Sequence, residues 1–580
     1  MAEDGLKAPI KAQYLRTHPP PPAAAAPETV AFEAAPSKRA AGRARAKLRA
    51  TGLCHAFARG ACSRDACKFS HSAEELAASR LPDLPGCCPF LLSAAPCPFG
   101  PTCRFAGSHG QPPPPSVAAG EAVSDEPLSL PTPTEAPLPE ANALGKELAG
   151  ALRKGLHAFP VADARLKALG QKISFTTAEE VAVPEAKRAR VDASVVGAEV
   201  RLRPGERKLI DFRGKVYVAP LTTVGNLPFR RLCKGLGADI TCCEMALATA
   251  LLQGVSSEWA LLRRHPCEDV FGIQIAGGYP DALARTCELL GDAGVACDFV
   301  DVNMGCPIDL VCSKGAGAAL MQKPARIEAI ARACSAVLPC PLTLKMRTGF
   351  ADTLDARVAH ILAPQLPSWG VASLTLHGRS RAQRYCRTAD WGYVAQVAAA
   401  ARAVDLQVVG NGDVMSWQEQ EAHVAAGVAT CMLARGALVK PWLCTEVKER
   451  RDWDISSGER LGLLQTFARH GLEHWGSDAQ GVATTRRFLL ESLSFLHRYI
   501  PLGLLERLPQ RLNQQPPAYV GRNDLETLMA SPAAEDWVRL TTMLLGPPPP
   551  GWKFAPKHKS NAYASASEAG AAQYDAQHNG

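Results

Sequence analysis

The stretch Asp298-Phe299-Val300-Asp301-Val302-Asn303-Met304-Gly305-Cys306-Pro307 decides how the rest of the chain is read. An apolar run of strand character breaks there into Asn-x-Gly-Cys-Pro. Pro307 cannot extend a ladder and Gly305 admits positive φ, so the strand has to stop. The Cys306 thiol is thereby expected on a tight turn at the mouth of a sheet. Taken alone, Cys306 reads better as a small buried cysteine, one of 20 in the chain. Its neighbours must decide.

Working outward, runs of the same kind lie at 216–219, 240–245, 270–275, 342–346, 373–376, 407–409 and 430–433. A turn and a helix-like segment follow each, at a spacing of roughly 25 to 40 residues, the rhythm of repeated βα units. Eight parallel strands over ~240 residues predict an α/β fold of the (β/α)8, or TIM, barrel type rather than an open doubly wound sheet. No Gly-x-Gly-x-x-Gly follows the first strand, which also argues against the open sheet.

The remaining segments fall around this barrel, set at 206–448. Beyond Pro441 the period becomes helical, with segments at 459–475, 484–499 and 523–531, so 449–546 is read as a small all-helical domain. Residues 1–50 form an Ala/Pro/Arg-rich basic segment expected to be disordered, and 547–580 a similar tail. Residues 111–205 read as a low-complexity linker, with room for one short amphipathic helix near 143–156. Residues 51–110 hold a cysteine-dense patch.

At 580 residues the chain exceeds a single core, and 47% hydrophobic with 21% charged residues suits a globular enzyme. A net charge of +8 admits a nucleic-acid partner without demanding one. No stretch approaches 18 apolar residues, so no membrane span is expected. The N-terminus lacks the apolar core of a signal peptide, which points to a reducing, cytoplasmic setting where cysteines are thiols or metal ligands. Basic clusters at 38–49 and 187–190 leave a nuclear address open, although such runs are more often solvated.

In the patch, Cys54-x7-Cys62-x4-Cys67-x3-His71 offers three thiolates and an imidazole at spacings that close around one tetrahedral Zn2+. A segment this poor in large apolar residues would draw its folding energy from the metal. A second unit, Cys88-x8-Cys97-x5-Cys103-x5-His109, has a longer last spacer, with Cys87 an alternative first ligand. Phe57, Phe69, Phe99 and Phe105, interleaved with Arg59, Lys68 and Arg104, suit stacking on unpaired bases. A protein-binding finger is the competing reading.

In barrels, strand C-terminal ends carry chemistry. The residues there are Pro220, Leu221 and Thr222, then Gln274, then Asn303 and Cys306, then Lys345 and Arg347, then His377 and Arg379, then Asn411-Gly412-Asp413, then Ala434-Arg435-Gly436. Each alone has an ordinary structural explanation. Together they describe a pocket of amides, cations, an imidazole and a thiol, with glycine turns where barrels hold phosphates. Lys345 and Gln274 suit the polar edge of a planar cofactor, and a flavin mononucleotide fits better than pyridoxal phosphate.

The motifs APLTTVGNLPFRR (219–231), DVNMGCP (301–307), KGAGAALM (314–321), LKMRTG (344–349), LHGRSR (376–381), GNGDV (410–414) and LARGAL (433–438) closely resemble those of the tRNA-dihydrouridine synthases, here with two CCCH zinc fingers in front. The resemblance implies an NADPH- or NADH-driven, FMN-dependent reduction of a uridine in tRNA. It implies position 47 as the target, with mRNA uridines equally open. It also implies FMN contacts from Pro220, Leu221, Thr222, Gln274, Lys345, His377, Asn411, Gly412, Asp413, Ala434 and Arg435. Asn303, Arg347 and Arg379 are further candidates for substrate or phosphate. Cys306 becomes the proton donor, since an unactivated thiol with a pKa of about 8.5 stays protonated at neutral pH. The helical domain, through Arg486, Arg487, Arg498, Arg507 and Arg511, offers cations to the tRNA backbone, and a monomer is expected. Two other readings stand beside this one: an FMN barrel acting on a small molecule, and a CCCH RNA-binding protein with a non-catalytic barrel.

Overall fold

A computed structural model describes residues 7–16, parts of 54–110, 137–173 and, with a few exceptions, 209–557. The basic clusters at 38–49 and 187–190, Arg59, Lys68, and the disorder expected for 1–6, 17–50 and 558–580 lie outside the described residues, as do 111–136 and 174–208 of the linker.

Among the described residues nine strands form: β1 Tyr217–Val218, β2 Ile240–Cys242, β3 Ala246–Leu247, β4 Val270–Ala276, β5 Phe299–Met304, β6 Leu342–Arg347, β7 Val371–His377, β8 Gln407–Asn411 and β9 Thr430–Leu433. All pairings are parallel, and β1, β2, β4, β5, β6, β7, β8 and β9 close into a ring as β9 returns to β1. The predicted barrel is therefore present; β3 is a short addition on the end of β4. Because helices cover the outside and side chains fill the inside, β5 is buried along its whole length.

Two-residue alternation sorts β5: Phe299, Asp301 and Asn303 share one face, Val300, Val302 and Met304 the other. The lower interior is filled by Phe299, Tyr217, Ile240, Val409 and Met432, with Phe212 plugging the end. Gly272 sits opposite Phe299 in register, where a Cβ would come within 2.1 Å of the Phe299 ring. The base is thus closed, and only the strand C-terminal end is open to chemistry.

Beyond the barrel, helices Ser457–Trp475, Ala479–Leu496, Asp524–Met529 and Ala534–Leu545 form the C-terminal bundle. The first starts on a capping box of Ser456 and Glu459. The last of the four has no counterpart among the helices predicted from sequence.

Three segments read as disordered or linker are built into the body. Residues 7–16 lie along the bundle, with Ala8 N–H donating to Gln515 O (3.0 Å) and Arg16 N–H to Ala518 O (3.1 Å). Ala8 and Ile10 are buried there among Ile500, Leu504, Leu505 and Tyr519. The linker contains two helices, Lys146–Arg153 and Pro160–Ala168. The Glu288 carboxylate of the barrel accepts from Val161 and Ala162 N–H at the start of the second. Past 547, Phe554 packs on Trp537, and Lys557 N–H donates to Glu491. Low overall hydropathy concealed these few anchoring apolar residues.

Candidate active site

The open end of the barrel holds a cavity of about 390 Å³. Its walls include Pro220, Leu221, Thr222, Gln274, Asn303, Cys306, Lys345, Arg347, His377, Asn411, Gly412, Asp413, Ala434 and Arg435. Every residue expected to touch a cofactor is in that wall. Phe495 and Leu512 of the bundle complete it.

Register explains the convergence. Asn303 pairs with Lys345 across β5 and β6, and Arg347 pairs with His377, which pairs in turn with Asn411. One layer deeper, Gln274, Asp301 and Thr343 are likewise in register. These polar side chains form a relay. Thr343 Oγ1 donates to Asp301 (2.7 Å), Gln274 Nε2 donates to Asp301 (2.7 Å), and Asn303 Nδ2 donates to Gln274 Oε1 (2.9 Å). Asn303 Oδ1 then accepts the backbone N–H of Cys306 (2.9 Å) and of Gly305 (3.2 Å). The relay fixes which way both amides face, and so where the thiol turn sits.

The thiol turn is tied down elsewhere too. Arg347 Nε donates to Gly305 O at 2.9 Å, and Ala318 N–H donates to Cys306 O at 2.9 Å. Gly317 passes so close that a Cβ would lie 2.7 Å from Cys306 O. Burial pushes the Cys306 thiol pKa up, against smaller opposing effects of the Ile308 amide, Arg347 and Lys345. Among the described residues no side-chain base hydrogen-bonds Cys306.

His377 does not serve as that base. Arg379 Nη1 lies 3.3 Å from His377 Nε2, and a guanidinium only donates, so Nε2 accepts and the neutral ring carries its proton on Nδ1. Burial, then Arg347 and Lys345, hold its pKa far below the usual imidazole range. Burial, then Arg347, also lower Lys345, whose Nζ reaches Asn411 Oδ1 at 3.4 Å.

Arg379 corrects an expectation. It is fully buried behind the wall, where Nη2 pairs with Asp413 at 2.6 Å, so it is no substrate contact. Asp413, at φ 57°, also pairs with Arg435 at 2.7 Å, and one carboxylate thus orders two guanidinia. Asn303 and Arg347 do face the cavity, each with a second structural task.

Two wall or sub-wall residues escaped sequence reasoning. Asp301 anchors the relay, and burial raises its pKa; its parity with Asn303 on a strand was the available signal. Tyr385, on a loop, lies under Arg435 (4.1 Å to the ring centroid) and near Arg379 and Arg347. Burial alone would raise its phenol pKa, yet Arg347, Arg435 and Arg379 pull it below the ordinary value.

The cysteine patch forms two clusters, Cys54/Cys62/Cys67/His71 and Cys88/Cys97/Cys103/His109, each with ligand atoms within 4.8 Å of one another. Cys88, and not Cys87, is thereby the first member of the second cluster. The aromatics differ from expectation: Phe105 is fully buried, and Phe99 packs on Gly476 and Phe90, so neither is presented to a base. In the bundle, Arg486 donates to Leu545 O and Thr541 Oγ1, and Arg498 to Leu512 O; both are buried and face no phosphate. Arg487, Arg507 and Arg511 are exposed. Among the described residues no helix is long and apolar enough to cross a membrane.

A parallel barrel that gathers a thiol, several cations and glycine turns in one cavity at its strand ends has the build of a cofactor-dependent barrel enzyme. The family model "Dihydrouridine synthase (Dus)" matches residues 217–475. Curated relatives named "tRNA-dihydrouridine(47) synthase [NAD(P)(+)]-like" include those of Rattus norvegicus, 50% identical over 86% of this chain and 80% of its own length, and Homo sapiens, 48% identical over 86% and 79%. The Arabidopsis thaliana relative is 41% identical over 96% and 93%. This chain belongs to the dihydrouridine synthase family. Solved structures match remotely, for example a variant of NCR from Zymomonas mobilis at 13% identity and a TM-score of 0.28, covering 43% of this chain and 87% of that one.

Proposed function

We propose that the chain reduces the C5=C6 bond of a uridine in tRNA, at position 47, with FMN as its cofactor and NADPH or NADH as electron donor. The observation that carries this reading is that Cys306 shares one cavity with the amides, cations and glycine turns that suit a flavin. Gly412, at φ 138°, has no room for a Cβ, which would lie 2.5 Å from Ala389 Cβ, and a Cβ on Gly436 would lie 2.1 Å from Val414 O. Backbone there passes unusually near its neighbours, which suits a phosphate cradle.

Pro220, Leu221, Thr222, Gln274, Lys345, His377, Asn411, Gly412, Asp413, Ala434 and Arg435 would hold the flavin. When bound, FMN supplies the hydride that reaches C6. Cys306 gives its proton to C5 and is reprotonated from solvent. Lys345 steadies negative charge at the cofactor's polar edge. Neutral His377, its Nε2 taken by Arg379, keeps its Nδ1–H to donate without adding charge. A uridine within folded tRNA must be turned out of its stack to reach this depth, and Arg487, Arg507 and Arg511 offer exposed cations to the backbone. Zn2+ in the cysteine clusters completes the N-terminal region.

Purified protein with a flavin spectrum should convert unmodified tRNA to the dihydrouridine form in the presence of NADPH. A preparation that binds no flavin, or that leaves uridine intact with either nucleotide, contradicts the proposal.

A further inference from the structure

The second cysteine cluster is covered by the bundle. Cys88, Cys103 and Phe105 are each fully buried, and the turn between helices Ser457–Trp475 and Ala479–Leu496 meets the cluster at Cys103 and Cys97. Ser477 Oγ lies 3.1 Å from Cys103 Sγ and 3.9 Å from Cys97 Sγ, although Ser477 is 374 residues from Cys103. Arg104 N–H donates to Ser477 O at 2.8 Å. The Phe99 ring covers Gly476, where a Cβ would lie 2.6 Å from Cζ.

The donor set fits a metal on an observation independent of spacing. His109 Nε2 is buried and hydrogen-bonded to nothing, and a ring nitrogen of His109 lies within 4.8 Å of three cysteine sulfurs. A buried imidazole nitrogen costs free energy unless something takes its lone pair. Zn2+ bound by three thiolates and a neutral imidazole leaves one net negative charge, which outer-sphere N–H and O–H donors must offset. Phe105 N–H reaches Cys103 Sγ at 3.3 Å, and Ser477 O–H is the second donor. By contrast, the hydrogen bonds of the first cluster among the described residues stay within 54–72.

We infer that the second cluster is a structural zinc staple, which joins the N-terminal region to the C-terminal bundle through Ser477, rather than an RNA-reading finger. Metal uptake there releases the thiol protons and closes the turn at 476–478.

The test uses the full chain, zinc content by atomic emission, and hydrogen–deuterium exchange across 476–482. Cys103→Ala should lose about one zinc and deprotect 476–482. Cys67→Ala should lose the other zinc and leave those amides as they are in the parent protein. Ser477→Ala, the milder change, should keep its zinc but yield it to chelator roughly 10- to 100-fold more readily. The inference is overturned if Cys103→Ala loses metal with 476–482 still protected. It is overturned equally if Ser477→Ala resists chelator as the parent does, an outcome readable even should Cys103→Ala not fold. None of these readouts depends on flavin or on turnover.

Discussion

The side-chain oxygen of Asn303 accepts the backbone N–H of Cys306 at 2.9 Å. Through Gln274 and Asp301, that one bond ties the position of the thiol to the packed interior of the barrel. The thiol is thus placed by the scaffold of the barrel as well as by its own turn.

Asn303→Ala should therefore slow uridine reduction on the order of 100-fold, the cost of misplacing a reacting group by about an ångström. Flavin content should change little. Steady-state turnover alongside the flavin absorbance of the purified variant checks both halves.

The pH profile should have no alkaline fall near neutrality. A general acid works only while protonated, and burial raises the Cys306 pKa above its ordinary value. Turnover should hold through pH 8 and decline only above about 8.5, the unperturbed thiol value. A decline centred below 8 would mean an activated thiolate.

Asp413→Asn removes the charge that orders Arg379 and Arg435. Leaving the buried Arg379 cation without its carboxylate should destabilise the fold by about 3–5 kcal/mol. Thermal unfolding would register that loss, and flavin titration a weaker affinity.

Acid should destabilise the protein from about pH 6.5 downward. Burial holds His265, His423 and His497 at about 4 and His470 at about 2. Below the unfolded value of about 6.5 the unfolded chain binds more protons, so stability present above that pH is lost as pH falls towards 4. Melting temperatures at pH 7 and pH 5 should differ, and His423→Phe, which keeps a ring stacked on Trp391, should narrow the gap.

The barrel and its mouth were legible because both obey local rules. A βα boundary is visible in the chain, and the C-terminal ends of the barrel strands converge on one place, so the wall of the cavity could be read without distances. Orientation was not legible. Arg379 follows His377 by two residues on a loop, where no period says which side chain turns inward. Phe105 and Phe99 look like base-stacking aromatics until the fold buries the first and sets Gly476, far away in sequence, against the second. Residues 7–16 carry too few apolar side chains to stand out from a disordered tail, and only the surface beneath them gives those few a use.

The most direct test isolates the second half-reaction. Flavin is reduced beforehand with NADPH, unmodified tRNA is added, and flavin reoxidation and dihydrouridine are followed together. In Cys306→Ala the flavin should remain bound while both signals slow by about 10²- to 10⁴-fold, the usual contribution of a positioned acid. Reoxidation and product formation at the parent rate would contradict the assignment of Cys306 as the proton donor.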